Sequence, residues 1–317
     1  MPRAGSDCPG LARAREARSL AGLLLEMPAS WGERPLLRTR QPDGRWTSMA
    51  RSQVRQSVLR IAAWLQGHGI RPGDRVGILS HNKAEWLMAD FAILAIGSVT
   101  VPAYFTDPPE AVAHVFRDAG VSLILVEPGE QQQKLAGLDM PTLPLTGEGE
   151  TLAAIAADAA WDGRLEAVEV SRDDLATLIY TSGTTGLPKG VMLTHGNILS
   201  DVAACIEAVS VWPDDVLLSF LPVSHAFERT VGHFLPMAAG GEIAYAESVN
   251  TLMRDIPEVR PTVMISVPRL YEKIYAGVQE KLHQGPAFKR FLFTQAQRLG
   301  AEQRRLRQQG RALRGGR

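Results

Sequence analysis

Short apolar runs alternate with amphipathic segments along most of this chain. In the first half, runs of strand length occur at residues 36–40, 75–80, 98–101 and 122–126. Between them lie segments with an apolar residue every three or four positions, the spacing that gives a helix one buried face. Strands that alternate with helices in this way predict an α/β fold with parallel or mixed sheets flanked by helices.

The alternation resumes after a weaker stretch at residues 127–174, which is rich in Pro, Gly and Ala and predicts a connection. A helix is predicted from about residue 197 to residue 209, and further strands are predicted at residues 175–180, 216–220, 242–246 and 262–267. We therefore divide the chain into a disordered tail at residues 1–18, a first α/β unit at residues 19–170 and a second at residues 171–317.

Local turn chemistry adds detail to this division. A Pro-Asp-Gly turn at residues 42–44 predicts a hairpin. Asn82 follows the strand at residues 75–80 and is predicted to cap the next helix. After Pro268, two helices with regular apolar spacing are predicted, and we expect their apolar faces to need a partner.

The last of these helices carries a cluster of basic residues. They are Lys289, Arg290, Arg298, Arg304, Arg305 and Arg307. A solvated helix face explains these charges, and we favour it; peripheral attachment to a membrane surface is the alternative.

Composition limits the classes of protein that remain. The chain has 317 residues, 45% of them hydrophobic, and a formal net charge of +0, so we expect no general attraction to nucleic acids. Its two cysteines, Cys8 and Cys205, form no disulfide framework or metal-binding pattern. We see no signal peptide and expect a reducing, cytoplasmic location. The most apolar stretch, residues 86–103, is interrupted by charged and turn-forming residues, which argues against a membrane span.

The segment at residues 180–195, YTSGTTGLPKGVMLTH, follows a predicted buried strand and carries the strongest chemical signal. Its glycines leave room for backbone N–H groups to approach a ligand, and its hydroxyls and lysine add donors and positive charge. This combination favours a polyphosphate. The Walker pattern does not fit, because Pro188 stands where its second Gly should be and Lys189 precedes Gly190.

The same segment resembles the phosphate loop of the adenylate-forming (AMP-binding) superfamily, which includes acyl-CoA synthetases, luciferases and peptide-synthetase adenylation domains. Residues 218–229, LSFLPVSHAFER, resemble the second core motif of the long-chain fatty acid–CoA ligase branch. Residues 267–273, VPRLYEK, resemble a third motif of that branch. The likeness extends from about residue 20 to residue 300 and implies the N-terminal domain of the adenylate-forming fold.

The resemblance implies that a fatty acid is activated by ATP to an acyl-adenylate and then transferred to coenzyme A. His225 would line the junction of the nucleotide and acyl pockets, and Lys189 would balance charge on the leaving pyrophosphate. Thr181 would also contact Mg²⁺. By position, the residues that would bind the phosphates of ATP are Thr181, Ser182, Gly183, Thr184, Thr185, Gly186, Lys189 and Gly190.

Several family motifs are not found after Val267. They are the aromatic-Gly-x-Thr-Glu motif, the Asp that holds the ribose and the mobile domain with the adenylation lysine. We therefore expect a chain that is incomplete at its C-terminus and impaired in catalysis, with the missing portion on a separate chain as one arrangement. The alternatives are a non-catalytic nucleotide- or acyl-binding remnant and an adenylation domain that loads a carrier protein.

Three further residues have structural explanations that compete with a role in binding. His195 is predicted to shape the start of the helix that follows it. Glu228 and Arg229 are predicted to form a local ion pair with each other at least as readily as they contact a substrate.

Overall fold

A computed structural model describes residues 8–161, 164–166, 168–181 and 188–309. Within these ranges, the strands form one sheet of six strands and one of four. The chain divides into two compact units, of which the first ends at Ile265 and the second begins at Ser266. Both sheets belong to the first unit.

The larger sheet is mixed. Its first five strands are parallel, and the last pairs antiparallel with its neighbour. In spatial order the strands are β6 (Thr142–Pro144), β5 (Val121–Val126), β3 (Arg75–Leu79), β4 (Val99–Ala103), β7 (Leu175–Thr181) and β8 (Lys189–Thr194). Because β4 and β5 lie on opposite sides of β3, the connections after β3 and β4 leave the sheet in opposite directions. In sheets of this type, ligands bind at such a reversal of strand order, beyond the carboxyl ends of the strands.

The smaller sheet combines strands from distant parts of the chain. In spatial order they are β2 (Trp46–Ala50), β1 (Pro35–Arg40), β10 (Glu242–Tyr245) and β9 (Val216–Ser219). The β1–β2 pair is the predicted hairpin, and β1, β10 and β9 run parallel. The predicted division at residue 170 does not coincide with a division between sheets, since strands from both sides of that point contribute to each sheet.

The helices of the first unit flank and separate the two sheets, and the last two helices belong to the second unit. Those of the described residues are α1 (Pro9–Glu16), α2 (Gly22–Leu25), α3 (Arg51–Gly67), α4 (Ala84–Ala95), α5 (Pro109–Asp118), α6 (Glu130–Gln133), α7 (Leu152–Ala157), α8 (His195–Ala208), α9 (Ala226–Glu228), α10 (Leu235–Ala239), α11 (Leu252–Val259), α12 (Pro268–His283) and α13 (Ala287–Gln308). A 3₁₀ turn spans Ala29–Trp31, and a π-helical turn spans Arg229–Phe234.

The main core lies around α4. This helix contacts β3 and β4 of the larger sheet and β1 of the smaller one. Trp86 and Phe91 have no exposed surface, and even the polar Asp90 is buried. Because α4 is buried between two sheets, its sequence is apolar nearly all round, as expected of a helix without a solvent-facing side.

The prediction of a disordered tail over residues 1–18 is wrong from Cys8 onward, because α1 packs on α8 and α10. Leu11 and Ala14 are buried, and Gly10 lies so close to α10 that an added Cβ would be 2.7 Å from Cα of Ala239. The Cys8 thiol donates a hydrogen bond to the Val211 carbonyl at 2.8 Å. The sequence did not reveal this buried face, because arginines alternate with the small residues of α1.

Three other predicted elements differ from the structure. Asn82 does not cap α4; Lys83 occupies that position, and the Asn82 side chain bonds to a different loop. The run at residues 262–267 forms only an isolated bridge, from Val263 to Leu217, instead of a strand. The connection at residues 127–174 contains α6, β6 and α7, so it contributes an edge strand to the larger sheet.

The unit that begins at Ser266 contains the two helices predicted after Pro268, α12 and α13. Its helices contact each other, and the Gln297 amide lies 3.4 Å from the Tyr275 hydroxyl. Among the described residues, no helix has the length and apolarity needed to cross a bilayer.

Candidate functional site

Thr181 and Lys189 face each other across the β7–β8 hairpin. They are the last paired residues before the connecting segment, and both are exposed. Residues 182–187, which include the predicted phosphate ligands Ser182, Gly183, Thr184, Thr185 and Gly186, lie outside the described residues. The hairpin therefore brings one hydroxyl and one ammonium group together at the mouth of the predicted phosphate loop.

The base of this hairpin is fixed by packing around Gly190. Tyr180 lies opposite Gly190 in the strand pair, and an added Cβ would be 3.0 Å from the tyrosine ring. The Tyr180 hydroxyl donates to Asp118 at 2.6 Å, and burial together with Asp118 raises the pKa of Tyr180. His114 of α5 bonds to the carbonyl of Pro188 at 3.0 Å. A side chain at 190 would thus crowd the Tyr180 ring, which the glycine allows to approach closely.

His225 lies after β9, where it begins α9. Its Nδ1 accepts a hydrogen bond from the backbone N–H of Phe227 at 3.2 Å, and its ring is exposed. The ring meets Tyr104 edge-on, with centroids 6.3 Å apart. Since Tyr104 follows β4 directly, this contact joins the carboxyl end of the larger sheet to that of the smaller one.

Asn82 holds the turn that carries His225. Its side-chain amide donates to the carbonyl of Leu221 at 2.6 Å and to the hydroxyl of Ser219 at 3.1 Å. Its carbonyl oxygen accepts from the backbone N–H of Val223 at 3.0 Å. The loop after β3 therefore positions the loop after β9, a role that the local pattern around Asn82 could not reveal.

Arg229 pairs with Asp90, so the predicted ion pair between Glu228 and Arg229 is wrong. The Arg229 guanidinium donates to both carboxylate oxygens of Asp90, at 2.9 and 2.5 Å, and to the Thr177 hydroxyl at 2.7 Å. Thr177 lies on β7, the strand that leads to Thr181. All members of this network are buried, which connects the His225 turn to the strand of the phosphate loop.

Glu228 is a buried carboxyl group on the same turn. It accepts a hydrogen bond from the Ser219 hydroxyl at 2.7 Å, and its Oε2 has no partner among the residues that the structure describes. Burial raises the pKa of Glu228 to about 8, although the bond from Ser219 opposes this shift. The group is therefore neutral at pH 7, because an ionised carboxylate without a cation is costly in such surroundings.

His195 has the structural role that the sequence favours. Its imidazole is buried at the start of α8, where Nδ1 accepts from the backbone N–H of Leu20 at 3.1 Å. Burial lowers the pKa of His195 to about 4, against the attraction of Asp174. Thr194 caps the same helix by accepting from the N–H of Asn197. His195 therefore anchors the segment before α2 and stays neutral.

A charged cluster that the sequence reasoning missed lies at the carboxyl ends of β3 and β5. Glu127 pairs with Lys83 at 2.6 Å and with Nδ1 of His81 at 2.8 Å. Burial alone would raise the pKa of Glu127, but hydrogen bonds from Lys83 and His81 lower it to about 2. The His81 ring lies against Phe105, with centroids 4.2 Å apart. Polar residues directly after two predicted strands were the signal available.

These contacts define an edge where the Lys189 ammonium, the Thr181 hydroxyl and the imidazoles of His225 and His81 are exposed above a buried polar network. The described residues hold no group of three or more His, Cys, Asp or Glu side chains that could bind a metal ion by themselves. Such an edge is suited to binding an anionic ligand, since its hydroxyl and ammonium groups are exposed donors.

The larger sheet is mixed, and the β7–β8 connection leaves it at the carboxyl end of β7. The molecule therefore belongs among the α/β proteins that bind ligands beyond the carboxyl ends of their strands. Residues 26–314 match the family described as "AMP-binding enzyme". The chain belongs to this family of AMP-binding enzymes, which confirms the resemblance found in the sequence.

Relatives support the same assignment. The chain is 34% identical over 273 residues to "Long chain acyl-CoA synthetase 7, peroxisomal" of Arabidopsis thaliana, covering 79% of this chain and 38% of that protein. It is 34% identical over 256 residues to the "Long-chain-fatty-acid--CoA ligase FadD15" of Mycobacterium tuberculosis, covering 75% and 42%. The chain thus spans about two-fifths of the length of the curated relatives it matches.

Solved structures confirm the fold. ATP-bound MatB from Rhodopseudomonas palustris superposes with a TM-score of 0.69 at 24% identity, covering 80% of this chain and 50% of that one. The predicted fold class, an α/β fold with parallel or mixed sheets of the adenylate-forming type, is therefore correct.

Proposed function

We propose that this chain is the ATP-binding portion of a long-chain fatty acid–CoA ligase. In this proposal, ATP and a fatty acid form an acyl-adenylate with release of pyrophosphate, and coenzyme A then takes the acyl group from AMP. The observation that carries the proposal is the pairing of Thr181 with Lys189 at the mouth of the glycine-rich segment, in a family member whose relatives are named long-chain ligases.

Each residue of the site has a separate proposed role, which follows from its charge and its position. The Lys189 ammonium would bind the phosphate oxygens that become pyrophosphate and offset the negative charge that builds up on them. The exposed ring of His225, held by Phe227 and Tyr104, would face the carboxylate of the fatty acid. Asn82 and Arg229 would keep the two loops in position without touching the reactants.

Mg²⁺ would enter with the nucleotide. The exposed hydroxyl of Thr181 fits a single protein contact to such an ion, because Mg²⁺ on ATP keeps most of its ligands as phosphate oxygens and water. When bound, the ion would supply charge neutralisation on the phosphates. Coenzyme A would serve as the acceptor of the acyl group.

Binding of ATP and Mg²⁺ to the complete 317-residue chain tests this proposal. We expect ATP with Mg²⁺ to raise the melting temperature, since a ligand bound only to the folded state stabilises it. Lys189→Ala should weaken ATP binding by roughly tenfold to 10²-fold, the effect of one lost charge-assisted contact. Arg45→Ala is the matched control, because it removes an exposed cation from the β1–β2 turn.

Two results would contradict the proposal. One is a chain that melts cooperatively but is not stabilised by ATP at any concentration. The other is a Lys189→Ala variant that binds ATP as tightly as the Arg45→Ala variant does. Release of pyrophosphate and formation of palmitoyl-CoA, measured in parallel, report catalysis separately from binding.

A second candidate is a nucleotide- or acyl-binding protein without turnover. The chain covers 38% and 42% of the two proteins above, so turnover by these 317 residues is a separate question from ATP binding. We expect the isolated chain to bind ATP and to form little or no palmitoyl-CoA, because catalytic groups that act as a unit lose activity far out of proportion when some are absent. Robust turnover would exclude this second candidate.

A further inference from the structure

The surface of α13 combines two properties that are seldom found together on a helix in water. Phe288 and Phe291 are 68% and 59% exposed, and Leu292 and Leu299 are 50% and 57% exposed. We call these four residues the apolar face of α13. The sequence of the same helix holds six basic residues and one acidic residue, a net charge of +5, in a chain whose formal net charge is +0.

Helical geometry sorts these side chains into separate zones. At about 100° per residue, Phe288, Leu292 and Leu299 lie within about 40° of one another, and Phe291 widens the apolar face to about 100°. Arg298 lies beside one edge of this face and Lys289 beside the other. By the same projection Gln295 and Glu302 also fall within this face, and the remaining positions of the strip are mainly aromatic and aliphatic. A mainly apolar strip between two rows of cations is the pattern of a helix that lies flat in a membrane interface.

We infer that α13 binds to the surface of anionic lipid bilayers, with its apolar face inserted and its basic residues on the headgroups. Charge selects this occupant, because a second copy of the chain would bring two helices of net charge +5 together. An anionic surface instead attracts each basic residue near it. On α12, Tyr271 and Tyr275 are 65% and 54% exposed and would serve as interfacial aromatic residues.

The inference goes beyond the proposed ligase function and does not depend on it. Binding through α13 would hold the chain at the surface of the bilayer, where long-chain acyl groups are dissolved. A chain that failed to bind ATP could still bind lipid through α13, and the reverse also holds, so the two experiments fail independently.

Flotation of the complete chain with vesicles tests the inference. We expect binding to vesicles of phosphatidylcholine mixed with phosphatidylglycerol, much weaker binding to phosphatidylcholine alone, and loss of binding as salt is raised. Substitution of Lys289, Arg298 and Arg305 by Gln should weaken binding about fivefold for each charge removed, or roughly 10²-fold for the triple variant.

A second variant tests the apolar face. Phe288→Gln, Leu292→Gln and Leu299→Gln together should abolish flotation, because burial of each such side chain contributes at least about tenfold to affinity. The matched control carries Val209→Gln, Val249→Gln and Met253→Gln, three exposed apolar residues outside α13. Circular dichroism checks that helix content is kept; where it falls, the milder pair Phe288→Ala and Leu299→Ala replaces the triple variant.

The inference is supported if the apolar-face variant loses binding to anionic vesicles while the control variant binds like the wild-type chain. It is overturned if the wild-type chain floats equally with neutral and anionic vesicles or with neither. It is also overturned if the apolar-face variant binds as well as the control. Sedimentation that shows a dimer lost only in that variant, without vesicle binding, would instead assign the face to a second copy of the chain.

Discussion

Arg229 and Asp90 form an ion pair out of contact with solvent, each side chain being only 1% exposed. The guanidinium also lies over the rings of Trp86 and Phe234, 5.5 and 5.4 Å from their centroids. Removal of two charges from water costs several kcal/mol per ion, so the pair adds stability only while both partners are present.

Arg229→Met should therefore destabilise the fold by about 3–5 kcal/mol, because it leaves the Asp90 carboxylate buried without its cation. The double variant Arg229→Met with Asp90→Leu should recover most of this loss, since no buried charge remains. Urea unfolding at pH 7 measures both free energies of unfolding. A single variant within about 1 kcal/mol of the wild-type chain would show that the ion pair is not needed for stability.

Glu228 gives the stability of the fold a distinct pH dependence. Its pKa is raised from 4.5 to about 8 by burial, so folding holds a proton that the unfolded chain releases. The stabilisation is complete below about pH 4.5 and is lost as pH rises to about 8. Burial lowers the pKa of His195 to about 4 and of His233 to about 3, so these groups reduce stability only below their ordinary value of 6.5.

Between pH 6.5 and pH 8, Glu228 should thus dominate the pH dependence among the described groups. The free energy of unfolding should fall by about 2 kcal/mol across this interval in the wild-type chain. Glu228→Gln cannot ionise but can still accept the bond from Ser219, so its unfolding free energy should stay nearly constant there. Urea titrations at several pH values measure the slopes. Parallel slopes in the two proteins would mean that another group is responsible.

At the scale of the element, the packing of α1 on α10 requires a residue without a side chain at position 10. Gly10 faces the backbone of Ala239, where an added Cβ would lie 2.7 Å from Cα. Backbone atoms cannot rotate away as the end of a long side chain can. Arg13 reinforces the contact by donating to the carbonyls of Met237 and Ala238, at 3.0 Å each.

Gly10→Ala should cost about 1–3 kcal/mol and should loosen α1 in particular. Hydrogen exchange should show reduced protection of the amides of α1, with those of β3 and β4 unchanged. Gly67→Ala is the matched control, since a Cβ there would meet no atom within 4 Å. Equal effects of the two substitutions would contradict the close packing of α1 on α10.

The sequence predicted elements wherever apolar runs were long and bounded by turn residues. It predicted β3, β4, β5 and β7 to within about two residues for this reason. It missed β8 because only three consecutive residues of that strand, Val191 to Leu193, are apolar. At the site, it predicted a phosphate loop but not that Thr181 would face Lys189, since that pairing depends on strand register. The assignment of these residues to a nucleotide stays a prediction.

Local sequence patterns could not predict contacts between residues that are far apart in the chain. Asp90 meets Arg229 across 139 positions of the chain, and the Asn82 amide meets the Leu221 carbonyl across 139 as well. Asn82 does not differ locally from an ordinary surface group, and Asp90 stands out only as a charge within an apolar stretch. Their partners were decided by how the two sheets stack, which the order of elements did not determine.

At the scale of the whole molecule, the two sheets share strands from both halves of the chain. β7 pairs with β4, and β10 pairs with β1. Neither half before or after residue 170 can therefore complete a sheet by itself, although the sequence suggested a division there.

Fragments 8–170 and 171–265, expressed separately, should lack cooperative unfolding transitions, since each would expose unpaired strand edges and the apolar faces of its helices. When mixed, they should recover part of the circular dichroism signal of the intact unit. Thermal scans of each fragment and of the mixture provide the measurement. A cooperative melt from either fragment alone would show that the halves are independent domains.

The thiol of Cys8 hydrogen-bonds to Val211 and is 3% exposed, whereas Cys205 is partly open to solvent. These are the two cysteines of the sequence. An alkylating reagent should therefore label Cys205 in the folded protein, slowly because burial and Asp201 raise the pKa of that thiol, and should label Cys8 only when α1 moves away from Val211. The ratio of the two labelling rates would report that opening, with Cys205 as the internal reference.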